Sequence, residues 1–212
     1  MEGVRSYIKE SLAAGQGPAA TARQIVGKVN PATGLREGGI LGLTSQQMQW
    51  VANARAELAD PATAGRFLAR AVRDRRFDKT ILAAIKAGKP LPKDAIDKIV
   101  GTYSSRLLKL RGQTIARTEG ITALRAGQHE GHLQAAEKSG AQIEMRWQST
   151  PDKYTRHSHM SMNGQKKMLG ETFQTETGAK LAYPGDTSHG APGKETINCR
   201  CIVIYKTKPP RR

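Results

Sequence analysis

The side chains best suited to binding a metal or activating water lie in the last third of the chain. They are Asp152, Arg156, His157 and His159, followed by Asp186, His189, Asn198, Cys199 and Cys201. Two histidines and two cysteines are the ligand types of a structural zinc site, but paired zinc ligands are usually separated by about two to four residues. The His-x-His and Cys-x-Cys pairs here are tighter, which favours a protein without a cofactor. The alternative is a zinc ion held by His157, His159, Cys199 and Cys201.

The two cysteines, Cys199 and Cys201, are separated by a single residue. On a strand both side chains point to the same face with their Cα atoms roughly 6.5–7 Å apart, at or beyond the usual limit for a disulfide. The sequence has no third cysteine that could pair with either. A buried thiol packs well as a small hydrophobic side chain. We therefore expect reduced, packed cysteines, as in a cytosolic protein.

A catalytic interpretation of the same region is a metal-dependent nuclease. Asp152, His157 and His159 could hold a divalent ion that activates water against a phosphodiester, and a basic chain supplies contacts to the substrate. Against this, no pair of carboxylates has the spacing of a metal site. A cysteine nucleophile is less favoured still, because a buried cysteine on a strand is normally inert. The sequence therefore predicts no catalytic residue and no enzyme, with a nuclease as the alternative.

The chain is strongly basic. Its 212 residues include 34 lysines and arginines against 18 aspartates and glutamates, which gives a formal charge of +16. A field of this sign attracts polyanions, of which nucleic acid is the commonest. Aromatic residues make up only 5% of the chain, so platforms for stacking bases are not expected. We expect the basic residues to contact the phosphates of double-stranded DNA without reading its sequence.

One group of basic residues is the best candidate for such contacts. Arg66, Arg70 and Arg73 have the spacing of a single stripe along a helix. The stripe is followed directly by Arg75, Arg76 and Lys79. The alternative is a solvated face packed against acidic residues of a partner protein.

The elements that must position all these residues indicate an α+β fold, with a helical N-terminal two-thirds followed by a small, loop-rich α+β module. Residues 1–43 are rich in glycine, alanine and proline, which predicts a flexible, partly helical arm. Residues 44–140 form the helical region. Residues 141–206 form the α+β module, and residues 207–212 form a basic tail that we expect to be disordered.

Local signals predict where the helices begin and end. Thr44 and Gln47 have the spacing of a capping box. Asp78 is placed to cap a later helix that ends at Gly88. Apolar residues at helical spacing predict a long helix over 93–138. The glycines within it predict either a kink or break, or close packing against a neighbour.

Two strands are predicted in the module. Ile143, Met145 and Trp147 alternate with polar residues, as expected of a half-buried strand. The segment 198–205 also alternates. Its first face carries Cys199, Cys201, Val203 and Tyr205.

A wider set of residues occurs in a characteristic order. It comprises Ala116, Arg117, Thr118 and Glu119, then Trp147, Asp152, Arg156, His159, Asn163 and Gly164, then Phe173, Gly178, Leu181, Pro184, Gly185 and Asp186, and finally Asn198, Cys199, Arg200 and Cys201. In this order, and with the closing Asn-Cys-Arg-Cys, the set resembles the C-terminal domain of the phage Mu F-like family of minor head, or head-morphogenesis, proteins. The resemblance covers roughly residues 105–205.

The resemblance implies a structural minor head protein of a tailed phage, made in the host cytoplasm and located in the virion. The implied partners are the portal protein, other head proteins and packaged DNA, and the head assembly would set the oligomeric state. No settled enzymatic activity follows from it. The sequence contains no run of about 18 apolar residues, so we expect no membrane anchor.

We expect the polar residues of this set to act as a structural motif that holds the module together. The motif consists of Arg117, Glu119, Trp147, Asp152, Arg156, His159, Asp186, Asn198, Cys199 and Cys201. Arg117 and Glu119 face different directions on a helix, so each needs its own partner. The expected partner of Arg117 is Asp152 or Asp186, and that of Glu119 is Arg156. Breaking a buried pair of this kind costs on the order of 3–5 kcal/mol.

Overall fold

A computed structural model describes residues 2–32 and 36–208. The fold is α+β, as predicted, and the chain divides into two compact units, residues 1–116 and 117–212. The division falls inside a long helix and not near residue 140, where the sequence places the end of the helical region. No helix within the described ranges is long and apolar enough to cross a membrane.

The first unit is built mainly from helices. Its elements are α1 (Glu2–Ala13), α2 (Pro18–Val26), β1 (Lys28–Val29), β2 (Arg36–Glu37), α3 (Ser45–Ala59), two 3-10 helices (Ala64–Ala69 and Arg75–Phe77), α4 (Asp78–Ala87) and the N-terminal part of α5 (Lys93–Ser139). The capping box of α3 is confirmed: the Thr44 hydroxyl accepts from the Gln47 N–H, and the Gln47 side chain accepts from the Thr44 N–H, both at 3.1 Å. Gly88 ends α4 in the left-handed conformation. Asp78 is the first residue of α4 rather than its cap.

Two apolar clusters hold this unit. The larger lies between α3, the 3-10 helices, α4 and α5, and its fully buried side chains include Leu58, Phe67, Ile81, Ile99 and Leu107. The smaller consists of Ile8, Ala22, Ile25, Val26 and Ala116. Helices with one apolar face need such a neighbour to bury it, and burial is what stabilises them.

The N-terminal segment is packed, so the predicted flexible arm is wrong for the residues that the structure describes. Two glycines allow close contacts in this segment, one within it and one on α5. A Cβ atom on Gly27 would lie 2.0 Å from the carbonyl oxygen of Glu37, and one on Gly112 of α5 would lie 2.2 Å from Cγ1 of Val26. Composition alone does not distinguish glycines of this kind from flexible ones. Residues 33–35 lie outside the described ranges.

The second unit contains the rest of α5 and seven short elements. They are β3 (Gln142–Gln148), α6 (His157–Met160), β4 (Lys166–Met168), β5 (Phe173–Gln174), β6 (Lys180–Leu181), α7 (Gly193–Thr196) and β7 (Ile202–Lys208). The main sheet is antiparallel with the order β4-β3-β7, and β5 pairs with β6 in a separate ribbon. The core includes Met145, Trp147, Met162, Phe173 and Leu181, all at most 1% exposed.

Most of the predicted elements of this region are present, with shifted ends. The strand over 143–147 is confirmed as β3, whereas β7 begins at Ile202, four residues later than predicted. Residues 207–208 belong to β7 and not to a tail, and 209–212 lie outside the described ranges. The long helix is continuous from Lys93 to Ser139, so it has no break. Gly112 fits the alternative, close packing against a neighbour, because a Cβ there would overlap Val26.

Candidate functional site

His159 of α6 lies in the core of the second unit, with only 1% of its surface exposed. Its ring is perpendicular to that of Trp147, with the ring centroids 5.5 Å apart. The hydroxyl of Ser149, directly after β3, donates to the backbone carbonyl of His159. The strand and the short helix therefore fix both the backbone and the ring of this histidine.

Cys199 and Cys201 approach His159 from the segment between α7 and β7. Asn198 has a left-handed φ of 55°, which ends the turn after α7. From there side chains alternate in direction, as in a strand. Both cysteines point inwards and are buried, whereas Arg200 between them forms a two-pronged ion pair with Asp152, with both contacts at 2.5 Å. Neither cysteine is in a disulfide.

The imidazole ring contacts both thiols through one nitrogen and a carboxylate through the other. Nδ1 of His159 lies 3.5 Å from Sγ of Cys199 and 3.5 Å from Sγ of Cys201. Nε2 lies 3.1 Å from Oε2 of Glu195 in α7, although this close contact is poorly aligned for a hydrogen bond. The arrangement is a buried carboxylate–histidine–dithiol cluster, which we call the His–Cys cluster (His159, Glu195, Cys199 and Cys201).

Glu195 is held as a carboxylate in spite of its burial. It accepts hydrogen bonds from the hydroxyls of Ser158 at 2.8 Å and Thr177 at 2.9 Å. Burial raises the pKa of Glu195, but these hydrogen bonds and the nearby His159 lower it below its ordinary value overall. A carboxylate beside Nε2 favours the tautomer with the proton on that nitrogen, so that the lone pair of Nδ1 faces the sulfurs.

The two thiols titrate as a coupled pair. The interaction between the two sulfurs lowers the pKa of Cys201. The same sulfur–sulfur interaction, together with burial, raises the pKa of Cys199.

Arg125 of α5 is a central residue of the site that the sequence interpretation missed. Its guanidinium donates to the backbone carbonyls of Pro184 at 3.1 Å, Cys199 at 3.2 Å and Cys201 at 2.5 Å. Burial lowers its pKa below the ordinary arginine value. No sequence signal distinguishes Arg125 from the other basic residues of the chain, since its partners are backbone carbonyls far away in sequence.

The predicted partners of Arg117 and Glu119 are wrong. Both side chains are exposed, and neither forms a hydrogen bond or ion pair with any residue that the structure describes. The contact comes from the residue between them: the hydroxyl of Thr118 accepts from the backbone N–H of Asn198 at 3.0 Å. These two charges therefore do not hold the second unit together.

The other polar residues of the motif bond to loops. Asp186 is 1% exposed and accepts from the backbone N–H groups of Ala182 and Ser188, both at 2.8 Å. Arg156 donates to the backbone carbonyl of Ile197. These side chains satisfy backbone groups that no helix or strand satisfies.

The four residues of the zinc alternative are not brought together. His157 is 89% exposed at its side chain and lies 3.1 Å from Glu176. Within the described ranges the residues that could hold a metal together are His159, Cys199 and Cys201. The nuclease set of Asp152, His157 and His159 is not gathered either, because Asp152 is engaged by Arg200.

The predicted basic stripe does not lie on one α-helix, because residues 64–77 form two 3-10 helices and a turn. Two of its arginines are held in ion pairs: Arg70 binds Glu57 at 2.8 Å, and Arg73 binds Asp78 at 3.0 Å.

The other basic residues predicted to contact DNA differ in whether they form ion pairs within the protein. Arg76 is 80% exposed but binds the buried Asp74 at 2.7 Å. Arg66, Arg75 and Lys79 are exposed and form no ion pair with any described residue.

Comparison with known proteins identifies a family. No curated protein and no solved structure is significantly similar to the chain. The family model described as Phage Mu protein F like protein matches residues 75–204, which is more than half of the chain and includes the whole His–Cys cluster. This protein therefore belongs to the phage Mu protein F like family.

Proposed function

We propose that this protein is a minor structural component of a tailed-phage head that contacts the portal and the packaged DNA. The observation that carries the proposal is membership of the Mu F-like family over residues 75–204. Proteins of this kind take part in head morphogenesis, which implies a place in the virion. The excess of 34 basic over 18 acidic residues suits a protein that lies beside DNA.

The charge distribution of the first unit supports contact with DNA. Glu57, Asp74 and Asp78 are each neutralised by an arginine. Other cations between residues 66 and 89 are exposed and form no ion pair within the described ranges. Their positive charges are therefore available to bind an anionic partner. We call this set the 66–89 cations: Arg66, Arg75, Lys79, Lys86 and Lys89.

The structure also supports a role without catalysis. The reactive groups of the His–Cys cluster belong to His159, Cys199 and Cys201, each at most 5% exposed. A macromolecular substrate cannot reach side chains that are buried to this degree. Among the described residues, the exposed His157 has Glu176 as its close polar partner.

The DNA contact is tested with a variant that removes four of the 66–89 cations: Arg75→Gln, Lys79→Gln, Lys86→Gln and Lys89→Gln. Binding to duplex DNA should weaken steeply with salt, and each lost phosphate contact should reduce the slope of log K against log salt by about 0.9. The matched control neutralises four exposed lysines of the second unit, Lys138, Lys180, Lys194 and Lys206. Equal losses in both variants would argue for general charge attraction.

The place in the head is tested in the phage or prophage that encodes the chain. A stop codon in its gene should give defective heads, and mass spectrometry of purified particles should detect the protein at low copy number. Co-expression with the portal protein should give a complex that survives moderately high salt. Normal, infectious particles that lack the protein would contradict the proposal.

A further inference from the structure

The geometry of the His–Cys cluster matches that of a metal ion site. The ligand atoms of His159, Cys199 and Cys201 all lie within 4.8 Å of one another. In a tetrahedral zinc site, Zn–S bonds of about 2.3 Å and Zn–N bonds of about 2.0–2.1 Å place a sulfur and a nitrogen about 3.5 Å apart. Both distances from Nδ1 of His159 to the sulfurs are 3.5 Å. Both nitrogen–sulfur distances therefore match those of a tetrahedral zinc site.

The surroundings orient the ring as a ligand. Glu195 lies beside Nε2 of His159, and the hydroxyls of Ser158 and Thr177 hold that carboxylate in place. Histidines that bind zinc through one nitrogen usually place the other beside a carboxylate or a carbonyl, which fixes the tautomer. Without a metal, one lone pair on Nδ1 faces two thiols and can accept from only one of them at a time.

The charges balance when a divalent cation is bound. Two thiolates neutralise a doubly charged ion, and the carboxylate of Glu195 adds one negative charge. Arg125 supplies the compensating positive charge, since its guanidinium bonds the backbone carbonyls of both Cys199 and Cys201. The two thiol protons are released when the metal binds.

We propose that His159, through Nδ1, and Cys199 and Cys201, through their sulfurs, bind one zinc ion. No other histidine, cysteine or carboxylate within the described ranges joins the group, so these side chains supply three ligands. His157 belonged to the four-ligand set considered from the sequence, but its exposed ring contacts Glu176 instead. The ion would join α6 to the segment before β7 and so stabilise a unit with a small core.

The test is elemental analysis of the full chain, expressed with added zinc and purified without chelators. We expect about one zinc per chain in the parent, and a loss to under about a tenth of that in Cys199→Ser and Cys201→Ser. His157→Ala is the matched control and should keep its zinc, which separates the three-ligand site from the four-ligand one. Loss of zinc in His157→Ala would overturn the ligand set proposed here.

A second measurement guards against serine variants that fail to fold. The parent chain, stripped of metal and refilled with cobalt, should show the near-ultraviolet charge-transfer absorption of thiolate-bound Co²⁺. Its thiols should react slowly with a thiol reagent until a chelator is added, and the chelator should lower the Tm. A folded parent without zinc, whose Tm responds neither to added zinc nor to a chelator, would overturn the proposal.

Discussion

The two units of this protein satisfy the hydrogen bonds of their backbone N–H and C=O groups in different ways. In the first, α-helices satisfy most backbone groups internally, and stability comes from apolar side chains such as Leu58, Phe67 and Ile81, all fully buried. In the second, long loops link short strands, and polar side chains take over that task. Arg125 alone bonds three backbone carbonyls, and Asp186 bonds two backbone N–H groups.

Arginine has two different roles in this protein. Arginines of the first unit, such as Arg70 and Arg73, bind carboxylates. Arg125 of the second binds carbonyls that no secondary structure satisfies. The difference lies in the backbone, because only an irregular chain leaves such groups without partners. Residue type alone therefore does not predict whether an arginine binds a carboxylate or a backbone carbonyl.

Removal of a buried aromatic ring from the first unit should have the largest effect. Phe67→Ala should lower the free energy of unfolding by about 3–5 kcal/mol, because Phe67 is fully buried and packs edge-on against Tyr103. Leu82→Ala, at a side chain that is 52% exposed, is the control and should change it by less than about 0.5 kcal/mol. The measurement is urea unfolding followed by the fluorescence of Trp50, in a background where Trp147 is replaced by Phe.

Removal of the central arginine of the second unit comes next. Arg125→Ala leaves three backbone carbonyls without a donor, which should cost about 3 kcal/mol. Trp147, buried in that unit, reports its unfolding in a background with Trp50→Phe. Arg117→Ala on the same helix is the matched control and should have almost no effect. If the two variants were equally stable, side-chain bonds to loops would not be what holds the second unit.

An effect that disappears in acid is expected at the Asp152–Arg200 ion pair. The hydrogen bonds from Arg200 lower the pKa of Asp152 to about 2, against about 3.9 in an unfolded chain. The stabilisation is therefore complete above about pH 4 and is lost as the pH falls towards 2. Asp152→Asn should lower the Tm at neutral pH, and its difference from the parent should vanish near pH 2. A difference that grows in acid would contradict this assignment.

The smallest effect is expected at Glu119. The sequence suggested a buried pair with Arg156, and hence a marked loss of stability in Glu119→Gln. In the structure Glu119 is exposed, so the change in the free energy of unfolding should be under about 0.5 kcal/mol. Equilibrium unfolding followed by Trp147 measures it. A loss of several kcal/mol would restore the original interpretation.

Features determined by neighbours in sequence were predictable. The capping box at Thr44 involves residues three apart, and the inward alternation of Cys199 and Cys201 follows from extended backbone. Order along the chain was also enough to identify the family, which the match over residues 75–204 confirms.

Features determined by distant neighbours were not predictable. Arg125 could not be found because its carbonyl partners lie 59 to 76 residues away in the sequence. A sequence contains no sign of which carbonyls lack a donor. The prediction that Arg66, Arg70 and Arg73 lie on one helix was wrong. It applied the spacing of an α-helix to a segment that forms a 3-10 helix and then a turn. Gly27 suggested flexibility, although its lack of a side chain serves close packing.

The pairing of β3 with β7 has a consequence for how the chain is made. Gln142 pairs with Lys208 and Gln148 with Ile202. The central strand β3 therefore cannot complete its hydrogen bonds until β7, at the far end of the unit, has been synthesised. On the ribosome β3 emerges long before β7, and closing so long a loop is slow. Until then an apolar strand edge is open to other nascent chains. The second unit should therefore need rapid completion or a chaperone, and a truncation that removes β7 should aggregate.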